Sequence, residues 1–93
     1  MNNNAFNSIK IDVIRAMENN GIVVEVEDDG DAILDISAID SITFISFIID
    51  IESSFKIVIP DEFLSLMIIQ SLNGFVSMLI ELLNEKRDND VMQ

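Results

Sequence analysis

Apolar residues recur at helical spacing near the start of the chain and predict an amphipathic helix over residues 6–17. The apolar positions are Phe6, Ile9, Val13, Ile14 and Met17. Polar and charged residues lie largely on the opposite side of this helix. Asn19-Asn20-Gly21 follows, and Asn and Gly readily adopt the left-handed conformation that ends many helices. We therefore expect the first helix to end at these residues.

A second helix is predicted from Asp40-Ser41 onward, with three kinds of surface. A narrow polar stripe is formed by Thr43, Ser46, Asp50 and Ser53. The side that we expect to face the core contains Phe44, Phe47, Ile48, Ile51 and Phe55. A separate apolar group, on a different side and close to Glu52, consists of Ile42, Ile45 and Ile49.

Pro60 interrupts the periodicity after the second helix, because the residue before a proline is pushed to an extended conformation. Asp61 and Glu62 suit a helix N-terminus, and a short third helix is predicted over 63–69. Ser71 is the expected cap of a fourth helix, whose apolar residues repeat helically. The pattern thus predicts an all-α four-helix bundle with three longer helices, one short third helix and a long loop between helices 1 and 2. We expect one domain over 1–93, with a core of about 5–86 and a polar tail over 87–93.

Two segments allow another interpretation. Residues 23–26 are β-prone and could form a short strand, although no partner strand is evident. Residues 63–80 contain no charged residue and approach the length of a membrane span. Polar residues interrupt that segment, and Asn73-Gly74 after Ser71 indicates a boundary between two helices instead. We expect no membrane span.

Composition narrows the possible chemistry. The 93 residues include no cysteine and no histidine, which excludes disulfides and thiolate catalysis and removes the usual acid–base and zinc-binding side chains. Seventeen acids against five bases give a net charge of −12, which argues against nucleic-acid binding and favours basic partners. The first residues lack the basic start and apolar stretch of a secretory signal, so we expect a cytoplasmic protein. We also expect a monomer.

The candidate site is Asp40-Ser41-Ile42, at the start of the second helix. A serine there exposes its hydroxyl beside the positive end of the helix dipole, where an attached phosphodiester would be favoured. The alternative is that Asp40 and Ser41 only cap the helix. The acidic run over 25–31 resembles a calcium loop weakly, since no bidentate Glu follows at the required position, and a solvated loop is the simpler interpretation.

The sequence resembles the acyl carrier protein family from Asp40 to Glu62. The family pattern is Asp-Ser-Leu, a helix of about a dozen residues that ends in Glu-x-x-Phe, and an Ile-Pro-Asp-Glu turn. The matching segments here are Asp40-Ser41-Ile42, Glu52-Ser53-Ser54-Phe55 and Ile59-Pro60-Asp61-Glu62. The resemblance implies that Ser41 carries a covalent 4'-phosphopantetheine, added by a phosphopantetheinyl transferase. The chain would then be a carrier, not an enzyme, and its arm would hold acyl or aminoacyl groups as thioesters for loading and downstream biosynthetic enzymes.

The chain departs from the family pattern around this serine. Ser37-Ala38-Ile39 stands where the family usually has Leu-Gly before Asp-Ser, and Thr43, Ser46 and Ser53 stand at positions that are commonly acidic. These departures favour a specialised biosynthetic pathway over general fatty-acid synthesis.

The weakly acidic second helix also bears on how partner enzymes would dock. We expect them to bind around Asp40, Ile42, Ile45, Ile49 and Glu52, more through the isoleucines than through salt bridges. The alternative, equally open at this point, is that the isoleucines pack under the long loop. The second candidate function is a helical protein-interaction module of carrier-like fold without a prosthetic arm.

Overall fold

The computed structural model describes the backbone of residues 3–91 and the side chains of residues 5–66 and 68–86. Three α-helices form this part of the chain: α1 (Asn3–Asn19), α2 (Ser41–Phe55) and α3 (Leu72–Val91). Three 3-10 turns connect them, at Ile36–Ala38, Asp61–Phe63 and Leu66–Ile69. An isolated β-bridge joins Ile33 to Ser71, and the described residues contain no strand. The prediction of an all-α fold is confirmed.

The first helix ends where the sequence predicts. The backbone N–H of Ile22 donates to the carbonyl of Met17 at 2.9 Å, and that of Gly21 to the carbonyl of Glu18 at 3.0 Å. Gly21 has a φ of 78°, a left-handed conformation that costs glycine little. Val13 and Met17, on the predicted apolar side, are fully buried. The amphipathic pattern therefore sets which side of α1 faces the core.

The core lies between α1, α2 and α3, and buried residues of the connecting segments complete it. Phe44, Phe47, Ile48 and Ile51 of α2 are buried, as their spacing predicts, while Phe55 is half-buried. The ring centroid of Phe47 lies 5.4 Å from that of Phe75, a separation typical of tilted aromatic pairs. The two apolar sides thus meet at a pair of aromatic rings.

The long loop between α1 and α2 is ordered by hydrogen bonds to the segment before α3. The N–H of Leu34 donates to the carbonyl of Gln70 at 2.8 Å, and the N–H of Leu72 donates to the carbonyl of Ala32 at 2.9 Å. The strand considered at residues 23–26 is not formed. The loop finds its backbone partners next to α3 instead, around the Ile33–Ser71 bridge.

Asp31 fixes the loop to the N-terminus of α3. Its carboxylate accepts from the N–H of Asn73 at 2.9 Å, from the hydroxyl of Ser71 at 3.0 Å and from the N–H of Ala32 at 2.7 Å. Ser71 caps the same helix, as predicted, by accepting from the N–H of Gly74 at 3.1 Å. Two side chains about forty residues apart in sequence thus satisfy the first turn of α3.

The predicted short third helix is not an α-helix, so the four-helix bundle is not confirmed. Residues 61–69 form the 3-10 turns Asp61–Phe63 and Leu66–Ile69, separated by Leu64 and Ser65. A helix of about seven residues would form only a few i→i−4 hydrogen bonds, which do not offset the free-energy cost of helix nucleation. The backbone therefore forms local 3-10 turns instead. Ile59 and Ile69, at the two ends of this segment, are buried and hold it against the core.

The third α-helix continues through Val91, into the segment that we expected to be a polar tail. Leu72, Phe75, Val76 and Leu79 are fully buried along its first half. In the described part of the chain, no helix combines the length and the apolar composition needed to cross a bilayer.

Candidate functional site

Ser41 is the first residue of α2, and its side chain is exposed. Asp40 precedes it in an extended conformation, and its Oδ1 accepts from the N–H of Thr43 at 2.7 Å. The carbonyl of Asp40 accepts from the N–H of Phe44 at 3.0 Å, the first bond of the helical ladder. The helix thus begins where the sequence predicts, with Asp40 as its cap and the side chain of Ser41 exposed.

Asp40 also sets the charge beside that hydroxyl. The N–H of Thr43 holds the pKa of the Asp40 carboxyl below its usual range, and the Thr43 hydroxyl and the N–H of Ile42 act in the same direction. The carboxylate is therefore ionised at neutral pH and occupied as a cap. It is a poor general base for Ser41, because a carboxyl with a low pKa holds a proton weakly.

An apolar cleft opens beside Ser41, between α2 and the segment that contains the second and third 3-10 turns. Its volume is about 440 Å³. It is lined by Ser41, Phe44, Ile45, Ile48, Ile49, Glu52, Leu64 and Leu66. This cleft was not predictable from the sequence, because its second wall depends on how residues 64–66 pack. The apolar residues Leu64 and Leu66, so soon after Pro60, are the signal that could have indicated it.

Ile42, Ile45 and Ile49 form an exposed row along α2, which we call the isoleucine stripe. Their side chains are 80%, 56% and 57% exposed. The alternative in which they pack under the long loop is therefore not what the structure shows. Ile45 and Ile49 also line the cleft, whereas Ile42 stands outside it, next to Ser41.

Glu52, the last predicted site residue, is engaged in the fold. Its Oε2 accepts from the N–H of Ile59 at 2.8 Å, and its carbonyl accepts from the N–H of Ile57 at 3.2 Å. Ile59 is buried, so Glu52 holds the chain that leaves α2 against the core. It reaches the far end of the cleft, but its carboxylate already has a partner. The structure therefore brings Ser41, Ile45, Ile49 and Glu52 to one cleft, with Asp40 and Ile42 beside it.

Two carboxylates of the acidic loop over 25–31, those of Asp29 and Asp31, accept hydrogen bonds within the fold. The N–H of Asp31 donates to Oδ1 of Asp29 at 2.9 Å, which closes a turn around Gly30. The N–H of Asn73 lowers the pKa of the Asp31 carboxyl, with smaller contributions from Ala32, Ser71 and Lys10, while burial acts in the opposite direction. Within the described residues, no three acidic side chains are grouped as a metal site would require.

The expected resemblance to acyl carrier proteins rests on residues 40–62, which include Ser41 and the α2 side of the cleft but not Leu64 and Leu66. Asp40-Ser41 forms the capped start of α2, Glu52 and Phe55 lie in its last turns, and Pro60 opens the segment that forms the second wall of the cleft. Compared with protein-family models, with curated proteins and with solved structures, the chain gave no match.

Proposed function

We propose that this chain is a carrier protein, modified at Ser41 by 4'-phosphopantetheine, that presents acyl or aminoacyl thioesters to partner enzymes. The observation that supports it best is the position of Ser41, whose exposed hydroxyl lies at the capped start of α2 and at the edge of an apolar cleft. An arm attached there could extend away from the chain or lie along the cleft. A carrier requires the extended position of the arm, because other proteins must reach its cargo.

The residues around Ser41 fit an acceptor of the arm. In the transfer from coenzyme A, Oγ of Ser41 forms a bond to the phosphorus of the pantetheine phosphate, the bond to the nucleotide phosphate breaks, and the serine proton goes to a base. The chain has no histidine, and the carboxylate of Asp40 is engaged as a cap. The base and any metal ion must therefore come from the transferase. Once bound, the arm supplies the terminal thiol that this cysteine-free chain lacks.

The same features explain why we propose a carrier and not an enzyme. Glu52 lines the cleft and Asp40 directly precedes Ser41, and both carboxylates accept hydrogen bonds from backbone N–H groups of the fold. A nucleophilic serine needs a base that is free to accept its proton, and both of these carboxylates are engaged in the fold. The proposal includes a monomer that acts in the cytoplasm, in a specialised biosynthetic pathway, beside its transferase and loading enzymes.

The test is the intact mass of the purified chain after incubation with coenzyme A and a broad-specificity phosphopantetheinyl transferase. We expect a gain of one phosphopantetheine, and no gain for Ser41→Ala. Ser53→Ala is the matched control, since Ser53 is an exposed serine of the same helix, and it should be modified like the wild type. An unmodified wild type, or a gain that persists in Ser41→Ala, would contradict the proposal.

A helical interaction module without an arm is the second candidate, and the exposure of the isoleucine stripe favours it. An adaptor would use such a surface whether or not Ser41 is modified. The Ser41→Ala variant distinguishes the two functions. A chain that acts as an adaptor should still support its pathway without the serine, whereas a chain that acts as a carrier should not.

A further inference from the structure

Residues 23–26, in the loop between α1 and α2, have backbone groups without partners. Within the described chain, no hydrogen bond joins an N–H or C=O of these residues to another group. Bonding resumes on either side, where the N–H of Ile22 donates to the carbonyl of Met17 at 2.9 Å and the N–H of Glu27 donates to the carbonyl of Asp31 at 2.7 Å. The segment is therefore held at both ends and unpaired between them.

Side-chain burial alternates along this segment as it does in a β-strand. Ile22 is buried and Val24 is half-buried against the core, whereas Val23 is 79% exposed and Glu25 is exposed. None of these residues has a positive φ, and none belongs to a helix or a turn. Their β-branched side chains favour an extended backbone. The segment thus has the side-chain pattern of a strand and lacks a neighbouring strand.

We propose that residues 23–26 bind an extended, basic segment of another protein, which adds to them as a neighbouring β-strand. Strands whose N–H and C=O groups are unpaired are the places where such addition occurs. In this mode of recognition the backbone supplies the hydrogen bonds, and the side chains select the partner. The inference does not involve Ser41, so it goes beyond the proposed function and does not depend on it.

The charges beside the segment determine which occupant fits. Four exposed acids belong to it or follow it: Glu25, Glu27, Asp28 and Asp29. Residues 16–55 contain no Lys or Arg, and Lys10, which reaches the loop from α1, donates to the carbonyl of Gly30. A second copy of the chain would bring its own net charge of −12, and like charges across a strand pair are destabilising. A strand with basic side chains is attracted instead.

The contact is small, so we expect weak and transient binding. Consecutive residues of a strand direct their backbone groups to opposite edges, so an added strand pairs with about two of the four residues. Exposed ion pairs with the neighbouring acids add little and are screened by salt. The affinity should therefore depend on both the backbone donors of one edge and the ionic strength.

The probes are three peptides of about ten residues each. The first alternates Lys with Val, and the second alternates Glu with Val. The third has the Lys–Val sequence but is methylated on alternate backbone nitrogens, which keeps its charge and removes the N–H donors of one edge. Binding to the full chain is followed by amide hydrogen exchange, which reports protection segment by segment.

We expect the Lys–Val peptide to slow exchange in residues 22–27. It should bind at least about tenfold more tightly than the Glu–Val peptide at about 0.05 M salt, and this ratio should shrink at about 0.5 M salt. The methylated peptide should bind clearly more weakly than the Lys–Val peptide although their charges are equal. Ser41→Ala should bind all three peptides as the wild type does.

Proline substitutions test the pairing from the side of the chain. Val23→Pro removes the N–H of one edge and Val26→Pro that of the other, and both side chains are exposed by half or more. We expect one of the two variants to weaken binding of the Lys–Val peptide by about tenfold and the other to leave it unchanged. Val23→Thr and Val26→Thr are the matched controls, since they keep both N–H groups, and they should bind like the wild type.

A second pair of variants tests the selection by charge. The first variant carries Glu25→Gln, Glu27→Gln and Asp28→Asn. The control carries Glu18→Gln, Glu62→Gln and Asp61→Asn, which remove the same charge from exposed residues outside the loop. At about 0.05 M salt, we expect the first variant to weaken binding by about three- to tenfold and the control to stay close to the wild type.

Four results would overturn the inference. If the Lys–Val peptide protects another part of the chain, or if neither proline variant weakens its binding, the contact is not strand addition. If the Glu–Val peptide binds as tightly, the occupant is not basic. If the wild type sediments as a dimer and one proline variant as a monomer, the occupant is a second copy. None of these results bears on the modification of Ser41, which intact mass measures separately.

Discussion

Replacing Asp31 by alanine should cost the chain a large part of its stability, although Asp31 lies in a surface loop. The change removes the acceptor for the N–H of Asn73, the N–H of Ala32 and the hydroxyl of Ser71. Loss of a helix cap costs about 0.5–2 kcal/mol, and a hydrogen bond to a charged group contributes about 1.5–3 kcal/mol. Because Ser71 still caps Gly74, we expect Asp31→Ala to lower the free energy of unfolding by about 2 kcal/mol.

The pH dependence follows from the lowered pKa of Asp31. The folded state holds the carboxylate ionised more strongly than the unfolded chain does, so its contribution is complete above the unfolded pKa of about 4. The contribution is lost as pH falls through the folded pKa. The difference in stability between the wild type and Asp31→Ala should therefore be largest near neutral pH and should shrink below about pH 4.

The assay is urea unfolding followed by far-UV circular dichroism, since the chain has no Trp or Tyr for fluorescence. Asp28→Ala is the control, because it removes one acid from the same exposed turn and changes the net charge equally. We expect a similar urea slope in all three proteins and a lower midpoint only for Asp31→Ala. A loss below about 0.5 kcal/mol, or a loss that persists undiminished in acid, would refute the reasoning.

Two further substitutions test the core and the end of α2. Phe47→Ala should lower the free energy of unfolding by about 3–5 kcal/mol, because the ring is fully buried and its centroid lies 5.4 Å from that of Phe75. Phe47→Leu should lower it clearly less, and urea midpoints of the two variants will show whether this order holds. Lys56 follows α2 with a left-handed φ of 56°. Lys56→Gly should therefore increase the free energy of unfolding by about 0.5 kcal/mol and raise the melting temperature slightly, while Lys56→Ala should not. Equal melting temperatures for the two variants would mean that the backbone at this residue is not strained.

The helices were predictable where the apolar residues recur with one clear period. In α2 four of the five predicted core residues, Phe44, Phe47, Ile48 and Ile51, are buried, because helical spacing decides which side chains share a side; the fifth, Phe55, is half-buried. Capping chemistry was equally informative. Asp40 and Ser71 directly precede the helices that their side chains were expected to cap, since each accepts from an N–H of the first turn.

The features that could not be predicted from the sequence depend on contacts between distant segments. The short third helix was expected from Pro60, Asp61 and Glu62, which favour a helix start. The segment that follows is too short for its hydrogen bonds to offset the free-energy cost of helix nucleation. The cleft depends on where Leu64 and Leu66 pack. The isoleucine stripe is exposed because the long loop is bonded to the segment before α3 and does not cover it. The spacing of Ile42, Ile45 and Ile49 fixes their side of the helix and leaves open what covers it.

The bonds from Asp31 to the start of α3 also constrain the order in which the chain folds. Asp31 and Asn73 are 42 residues apart, and closing a loop of that length costs about 3 kcal/mol of chain entropy. The first turn of α3 gains its second acceptor only after that closure, so a peptide of α3 alone should fray at its start. The N-terminus of this helix is therefore expected to form late, once the acidic loop has reached it.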